Sequence, residues 1–254
     1  MDLQNLVQQQ FGNTARNYLS SAVHAQGADL ARLTALTERL APERVLDLGC
    51  GAGHASFAVA AGGARAVVAY DLSAEMLTVV AAAATERGHD QIATRQGPVE
   101  MLPFADGEFD LAVTRFSAHH WLDMGRVLAE AARVLAPGGT LVVIDVIAPE
   151  TPLYDTVLQT IELLRDASHV RNYRVSEWRA MLTAAGLDVQ GSDSWKLPLA
   201  FDSWVARIGT PPGRVAALRE TFAALSREAR DYFAVTADDS FSSDTAWVEA
   251  RRPR

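Results

Sequence analysis

Short apolar runs alternate with longer amphipathic stretches between residues 44 and 146. The longer stretches, such as AEMLTVVAAAATER and GRVLAEAARVLAPGG, place apolar residues at helical spacing. The short runs are predicted as buried strands: RVLDLG, ARAVVAYD, QIATRQG, FDLAVTRF and TLVVIDV. Strands separated by single helices need crossover connections, so this pattern predicts a parallel sheet with helices on both faces.

The pattern changes after residue 150, where helical stretches predominate. A continuous helical stretch is predicted over residues 203–233, and LDVQGSDSWKL and SSDTAWVEAR are predicted as two more strands, the second an antiparallel edge. The fold class is therefore α/β, with a seven-stranded, mostly parallel sheet. We expect one domain over residues 1–254, with a helical cap at 1–40, a ligand-binding core at 41–150, and substrate-shaping helices and final strands at 151–254.

Composition excludes several classes of partner. The chain of 254 residues carries a net charge of −8 and no basic stripe, which argues against binding to nucleic acid phosphates. Cys50 is the only cysteine, so an internal disulfide is impossible and a reducing compartment fits. The sequence lacks a long apolar run and a secretory leader, so we expect a cytoplasmic protein without a membrane span, as a monomer or homodimer.

The segment RVLDLGCGAGHASFAVA places Gly49, Gly51 and Gly53 directly after the first strand. Ligands of parallel sheets bind at the carboxyl ends of the strands, so this loop is either a tight turn or a ligand-binding loop. The dinucleotide fingerprint needs glycines at relative positions one, three and six, and the sixth position here is His54. This departure counts against an NAD-dependent oxidoreductase, which stays an alternative.

Two carboxylates accompany the glycines. Asp47 precedes them at the end of the first strand, where it could accept hydrogen bonds from a cationic ligand or hold the loop amides. Asp71 ends the second strand, in a position suited to the two hydroxyls of a ribose. The alternative is an acid favoured by the dipole of a helix N-terminus, but the placement at the strand end favours the ribose role. Together they indicate a ligand with a ribose and without a pyrophosphate.

Four segments carry a family resemblance: VLDLGCGAGHASFAVA, VVAYDLSAEML, RQGPVEMLPFADGEFDLAVTRFSAHHW and EAARVLAPGGTLVVIDV. Their order resembles the successive motifs of class I S-adenosylmethionine-dependent methyltransferases, and most closely the branch of the ubiquinone and menaquinone biosynthesis methyltransferases. Further similarity, in FGNTARNYLSSAVHAQGADL and LRDASHVRNYRVSEW, is to stand-alone bacterial members. The resemblance implies a Rossmann-like fold, S-adenosylmethionine as cofactor, and a small, cyclic or aromatic acceptor.

The resemblance also implies roles for individual residues. Asp47 and the glycine loop would hold the methionine portion, Asp71 the ribose, and Arg115 and Phe116 would flank the reacting methyl group. Pro98 stands where the family often has an acid that contacts the adenine, so another group, such as the Val99 amide, must take that contact. The full set of expected cofactor-binding residues is Tyr18, Asp47, Gly49, Cys50, Gly51, Gly53, Asp71, Leu72, Met76, Pro98, Val99, Arg115 and Phe116.

Catalytic residues are harder to predict, because the sulfonium leaving group departs as a neutral thioether and alignment can supply much of the acceleration. A base is needed only where the nucleophile must lose a proton. His119 and His120 follow the fourth strand, and we favour His120 as the group that faces the substrate, with His24 and His169 as alternatives. No metal site is expected. A protein that binds the cofactor without turnover is a further alternative.

Overall fold

A computed structural model describes residues 2–12 and 27–254. Its centre is a seven-stranded sheet in the order β3-β2-β1-β4-β5-β7-β6, parallel except for β7. The strands are β1 (Arg44–Leu48), β2 (Ala66–Asp71), β3 (Ile92–Gln96), β4 (Phe109–Arg115), β5 (Leu135–Val146), β6 (Asp188–Leu199) and β7 (Phe241–Arg251). The predicted fold class, a mostly parallel α/β sheet of Rossmann-like topology, is confirmed.

Helices cover both faces of the sheet. They are α1 (Leu3–Gly12), α2 (Ala28–Leu40), α3 (His54–Ala61), α4 (Ala74–Glu86), α5 (Met124–Val134), α6 (Pro152–Arg165), α7 (Val175–Ala184), α8 (Phe201–Ile208), α9 (Pro212–Ala224) and α10 (Arg227–Tyr232). A 3₁₀ turn over Ala118–His120 follows β4. The prediction of one continuous helical stretch over 203–233 was wrong: Gly209, at φ +70°, ends α8, and Pro211 precedes the start of α9.

The central strands are buried on both faces, which explains their continuous apolar runs. Val45 and Leu46 of β1 are fully buried and belong to the apolar layers on opposite faces of the sheet. Helix α2 packs on one of these layers through Leu33 and Leu36. Helix α2 is therefore part of the helical cover on one face of the sheet. Helix α1, the other helix of the expected cap over residues 1–40, lies at the carboxyl edge of the sheet instead.

Strand β7 was predicted as an antiparallel edge strand, and only its direction is confirmed. It lies between β5 and β6, and β6 forms the edge. The reason is visible in β7 itself, where consecutive residues Ala246, Trp247 and Val248 are all buried. An edge strand with one exposed face would alternate buried and exposed residues, so this apolar run fits an interior position.

Helix α1 lies against the carboxyl edge of the sheet. The Gln8 side-chain amide donates to the Leu72 carbonyl at 3.0 Å, and that of Gln10 donates to the Ile208 carbonyl at 2.6 Å. Helix α1 thus connects the loop after β2 with the end of α8. In residues 2–12 and 27–254, no helix combines the length and apolar character needed to cross a membrane.

Candidate active site

A cavity opens at the carboxyl ends of β1, β2 and β4. This is the edge where ligands of parallel sheets bind. The cavity lining brings together all but two of the residues expected to bind the cofactor: Asp47, Gly49, Cys50, Gly51, Asp71, Leu72, Met76, Pro98, Val99, Arg115 and Phe116. Of the other two, Gly53 does not line the cavity and Tyr18 falls outside the described residues. His24, an alternative to His120, also falls outside them.

The Asp71 carboxylate is fixed by two backbone amides. Gly51 N–H donates to Oδ2 and Ser73 N–H donates to Oδ1, each at 2.8 Å. Each oxygen keeps a second lone pair, so the carboxylate can accept two more hydrogen bonds from a ligand in the cavity. Burial raises the pKa of Asp71, and the two amide bonds act in the opposite direction. The Ser73 side chain caps α4 by accepting from Met76 N–H.

Asp47 presents an unsatisfied oxygen. Its Oδ2 accepts a hydrogen bond of 2.6 Å from Ser56 Oγ, while its buried Oδ1 finds no partner in the described part of the chain. Burial raises the pKa of Asp47 to about 7. A buried carboxylate oxygen without a donor is costly, and a cationic group bound in the cavity would relieve that cost.

Glycine is needed at the three loop positions for different structural reasons. Gly51 has φ +50°, and a Cβ placed there would meet nothing within 4 Å, so this backbone faces open space. A Cβ at Gly49 would lie 2.0 Å from Ser117 Oγ. Gly53 does not line the cavity, and a Cβ there would lie 3.0 Å from the Val80 side chain. The structure therefore places Gly53 in the packing behind the loop rather than at the cavity.

Cys50 lines the cavity as a buried thiol. Burial raises its pKa well above the ordinary value, and the nearby Asp71 and Asp47 carboxylates raise it further. The thiolate is thus disfavoured, and Cys50 is unsuited to act as a nucleophile.

The apolar wall on the β2 side contains Leu72, Met76, Pro98 and Val99. The Pro98 carbonyl accepts a hydrogen bond of 3.1 Å from the Tyr70 hydroxyl, which fixes this part of the wall. Glu100 also lines the cavity, two residues beyond the position where an acid was expected. Sequence reasoning missed Glu100 because it compared only the matching position.

Arg115 and Phe116 end β4 at the cavity. The Arg115 guanidinium forms a buried ion pair with Asp29 of α2, which fixes the end of the strand. Phe116 has φ +51°, a conformation that is strained for a residue with a side chain. Strain of this kind is concentrated at functional sites, and the Phe116 side chain lines both this cavity and a second one.

A second cavity lies next to the first and shares Phe11, Phe116 and His120 with it. His119 and His120 of the 3₁₀ turn line it, together with Asn172 before α7 and Trp204 of α8. His120 also lines the first cavity, so it stands between the two spaces with Phe116. The residues that line the second cavity are Phe11, Phe116, His119, His120, Val146, Glu162, Arg165, Asn172, Leu197, Leu199, Trp204 and Arg207.

The two adjacent histidines differ in environment. His119 Nδ1 lies 2.7 Å from Asp145 Oδ1, whereas His120 Nδ1 lies 3.1 Å from the Ser168 carbonyl. Burial, together with the charge of His119, lowers the pKa of His120 to about 4, so this ring stays neutral near pH 7. The predicted candidate, His120, therefore faces the cavity as a neutral polar group with Nδ1 occupied.

Helix α1 supplies cavity residues that the sequence did not predict: Leu3, Gln4, Val7 and Phe11. No local signal could have found them, because only the folded chain brings this segment to the sheet edge. His54, Ser117, Trp121 and Leu122 were also missed, although they directly follow the predicted loop and strand. Within residues 2–12 and 27–254, no cluster of three or more histidine, cysteine, aspartate or glutamate side chains could hold a metal ion.

Comparison with known proteins agrees with this geometry. A family model described as a methyltransferase domain matches residues 46–143. YafE of Escherichia coli strain K12, an uncharacterized protein, is 51% identical over 193 residues, which make up 76% of this chain and 93% of YafE. A demethylmenaquinone methyltransferase of Clavibacter sepedonicus is 35% identical over 142 residues, 53% of this chain and 57% of that protein.

YcgJ of Bacillus subtilis, an uncharacterized methyltransferase, is 38% identical over 226 residues, which make up 89% of each chain. The crystal structure of YcgJ superimposes with a TM-score of 0.82 and 34% identity over 88% of this chain and 99% of YcgJ. The methyltransferases among these relatives favour S-adenosylmethionine over NAD as the cofactor, and the orphaned Asp47 oxygen and the open space at Gly51 fit it. The chain belongs to the class I S-adenosylmethionine-dependent methyltransferases.

Proposed function

We propose that this enzyme methylates a small organic acceptor, held in the second cavity while the cofactor lies in the first. One observation carries the proposal: Phe116 and His120 line both cavities, so the two spaces share a wall. A methyl donor on one side of that wall would lie next to an acceptor on the other. Apolar and aromatic side chains such as Phe11, Leu199 and Trp204 suit a cyclic or aromatic acceptor. The similarity to a demethylmenaquinone methyltransferase supports the same class.

We assign the cofactor contacts from the cavity lining. Asp71 would accept from the ribose hydroxyls, and the orphaned Asp47 oxygen would accept from the methionine ammonium group. Leu72 and Met76 would pack on the adenine. Glu100 supplies the carboxylate that is missing at Pro98 and would accept from the adenine amino group.

When bound, the cofactor supplies a methyl group activated by a positive sulfonium. The residues of the chain align the reactants and exclude water, which together can supply most of the acceleration in such a displacement. Helix α1 contributes to both, since Phe11 lines the two cavities and Val7 lines the first. Residues 1–254 would act as one domain, with 151–254 shaping the acceptor site. Cys50 is the only cysteine and is not in a disulfide, which supports action in a reducing compartment such as the cytoplasm.

The proposal is tested first by ligand binding and then by turnover. S-adenosylmethionine and S-adenosylhomocysteine at a hundred times their Kd should stabilise the fold by about 2.7 kcal/mol and raise Tm by about 5–11 °C, whereas NAD should not. The enzyme is then incubated with S-adenosylmethionine and 1-naphthol, 1-naphthylamine or 1,3-indandione. Formation of S-adenosylhomocysteine with at least one of them supports the proposal, and cofactor binding without product from any would contradict a small-molecule acceptor of this class.

A pH dependence follows from Asp47. Its pKa in the folded protein is about 7 against a reference of 3.8, so folding alone favours the protonated form, and this group destabilises the free protein as pH rises through that window. An ammonium ion beside Oδ1 favours the charged form instead. Affinity for S-adenosylhomocysteine should therefore rise about tenfold from pH 6 to pH 8, with proton release on binding below pH 7.

Isothermal titration in two buffers of different ionisation enthalpy measures that proton release. Asp47→Asn cannot titrate, so it should bind more weakly and without this pH dependence. If the same dependence persists in Asp47→Asn, another group is responsible and the ammonium contact is wrong.

A further inference from the structure

We propose that His119, oriented by Asp145, is the general base of the reaction, and that the acceptor reacts through a hydroxyl or enol that must lose its proton. This inference rests on the proposed function, because it requires an acceptor in the second cavity. It differs from the sequence prediction, which favoured the neighbouring His120.

The geometry fixes the tautomer of His119. Its Nδ1 lies 2.7 Å from Oδ1 of Asp145, and that oxygen also accepts from Val146 N–H at 2.8 Å. A carboxylate can only accept, so the ring proton of neutral His119 belongs on Nδ1. The lone pair is then on Nε2. The ring lines the second cavity and keeps 15% of its side chain exposed, so it can receive a proton from a bound acceptor.

His119 is held in place by backbone hydrogen bonds and by the Asp145 carboxylate. The His119 carbonyl accepts from Val170 N–H at 2.8 Å and from Arg171 N–H at 3.2 Å. These bonds tie the 3₁₀ turn after β4 to the loop before α7. Asp145, on β5, has only 2% of its side chain exposed, so its carboxylate cannot swing away into solvent. The backbone bonds and the buried carboxylate therefore hold the ring in one position, as a base that must meet a bound acceptor requires.

Charged groups from several elements surround His119. Burial lowers its pKa, but the charge and hydrogen bond of Asp145 outweigh burial, and Glu162 of α6 and Asp166 add to them, so the pKa of His119 is raised. The rings of His120 and His169 lie 4.2 and 5.9 Å from that of His119. Burial and the His119 charge lower the pKa of His120 to about 4, and burial followed by His119 lowers that of His169 to about 3. Of these three rings, only His119 has a raised pKa, which favours it over the other two as the proton acceptor.

Two arginines also line the second cavity, Arg165 of α6 and Arg207 of α8. The Arg165 Nε–H donates to the Trp204 carbonyl at 3.0 Å, and its guanidinium lies 3.8 Å from Glu162. Both cations add positive charge to the lining of the cavity in which an acceptor anion would form.

Asn172 provides an independent observation about the ligand. Asn172 is 1% exposed and lines the second cavity, and within the described residues neither its side-chain oxygen nor its nitrogen is hydrogen-bonded. Buried amides are nearly always hydrogen-bonded, so we expect this amide to hydrogen-bond a polar ligand in the second cavity. An acceptor that carries a hydroxyl beside a carbonyl offers the amide both a donor and an acceptor.

In the proposed step, the acceptor O–H, or the C–H of its enolisable tautomer, gives its proton to Nε2 of His119. The electron pair released on oxygen or carbon forms the new bond to the methyl carbon, and the pair of the broken C–S bond stays on sulfur as a neutral thioether. His119 then returns the proton to water. A neutral amine attacks with its existing lone pair, so it needs no base in this step.

The test uses matched acceptors and a matched control. Wild type, His119→Gln, Asp145→Asn and His89→Gln are compared with 1-naphthol, 1,3-indandione and 1-naphthylamine, with S-adenosylhomocysteine as the measured product. His89 stacks on Phe57, away from both cavities, and is the control histidine. We expect His119→Gln to lose about 10²- to 10⁴-fold in kcat on the hydroxyl or enol acceptor. The wild-type rate should fall as pH drops through the raised pKa of His119, and that inflection should move to lower pH in Asp145→Asn.

A second measurement does not need turnover. NMR of the imidazole groups is recorded in the S-adenosylhomocysteine complex, and the His119 resonances are assigned by their loss in His119→Gln. They should show the Nδ1–H tautomer, and the pKa of His119 should be lower in Asp145→Asn. Turnover of the amine alone, or equal turnover by wild type and His119→Gln, would overturn the base while leaving the proposed function standing. No product from any acceptor, with cofactor binding intact, would instead overturn the proposed function.

Discussion

Replacing Asp71 with asparagine is expected to weaken S-adenosylhomocysteine binding by about ten- to hundredfold. The two Asp71 oxygens hold the amides of Gly51 and Ser73 and keep lone pairs toward the cavity. Asparagine has a single carbonyl oxygen, so its NH₂ group must face either a backbone N–H or a ribose hydroxyl. Hydrogen bonds to a charged group contribute about 1.5–3 kcal/mol each, which corresponds to the expected loss in Kd.

Asp110 offers a matched control at the other edge of the sheet. Its Oδ2 accepts from Glu43 N–H and Arg44 N–H, each at 3.0 Å, so Asp110→Asn also disturbs a carboxylate that holds two backbone amides. We expect an unchanged Kd for that variant. Titration calorimetry of both variants measures the difference. Equal weakening in the two would show a general loss of stability, and no change in Asp71→Asn would remove Asp71 from the site.

Replacing Gly51 with leucine is expected to weaken S-adenosylhomocysteine binding by about a hundredfold or more. The added side chain would project into open cavity space, where nothing in the described chain lies within 4 Å of the new Cβ. Extra atoms in a close-fitting site cost about 1–3 kcal/mol or more. The φ of +50° adds about 1–2 kcal/mol of backbone strain for any residue with a side chain.

The strain can be separated from the steric effect with Gly88. It has φ +69°, and a Cβ there also meets nothing within 4 Å, but it lies after α4 and outside the cavity. Gly88→Leu should therefore lose about 1–2 kcal/mol in the free energy of unfolding and keep its affinity. Urea denaturation gives the first quantity and calorimetry the second. Retained affinity in Gly51→Leu would mean that the ligand lies elsewhere.

Much of the fold and of the first cavity could be predicted from local sequence. The strands β1, β2 and β4 are short apolar runs with a helix between each pair, which requires parallel connections. The carboxyl ends of parallel strands share one edge, so residues that follow those strands, such as Gly51, Asp71 and Phe116, are brought together whatever their distance along the chain. Their convergence depends on periodicity and handedness, which a sequence encodes locally.

Other features needed the tertiary structure. The sequence offered His119 and His120 side by side, and only the packed fold brings Asp145 to His119 and the Ser168 carbonyl to His120. Helix α1 reaches the cavity through contacts with Leu72 and Ile208 that no periodicity indicates. The sequence by itself determined the parallel strands β1 to β5, the glycine loop and the family, but not the order of β6 and β7. Which histidine has a carboxylate partner, and which helix covers the site, was decided by long-range packing, because those contacts depend on how separate elements meet.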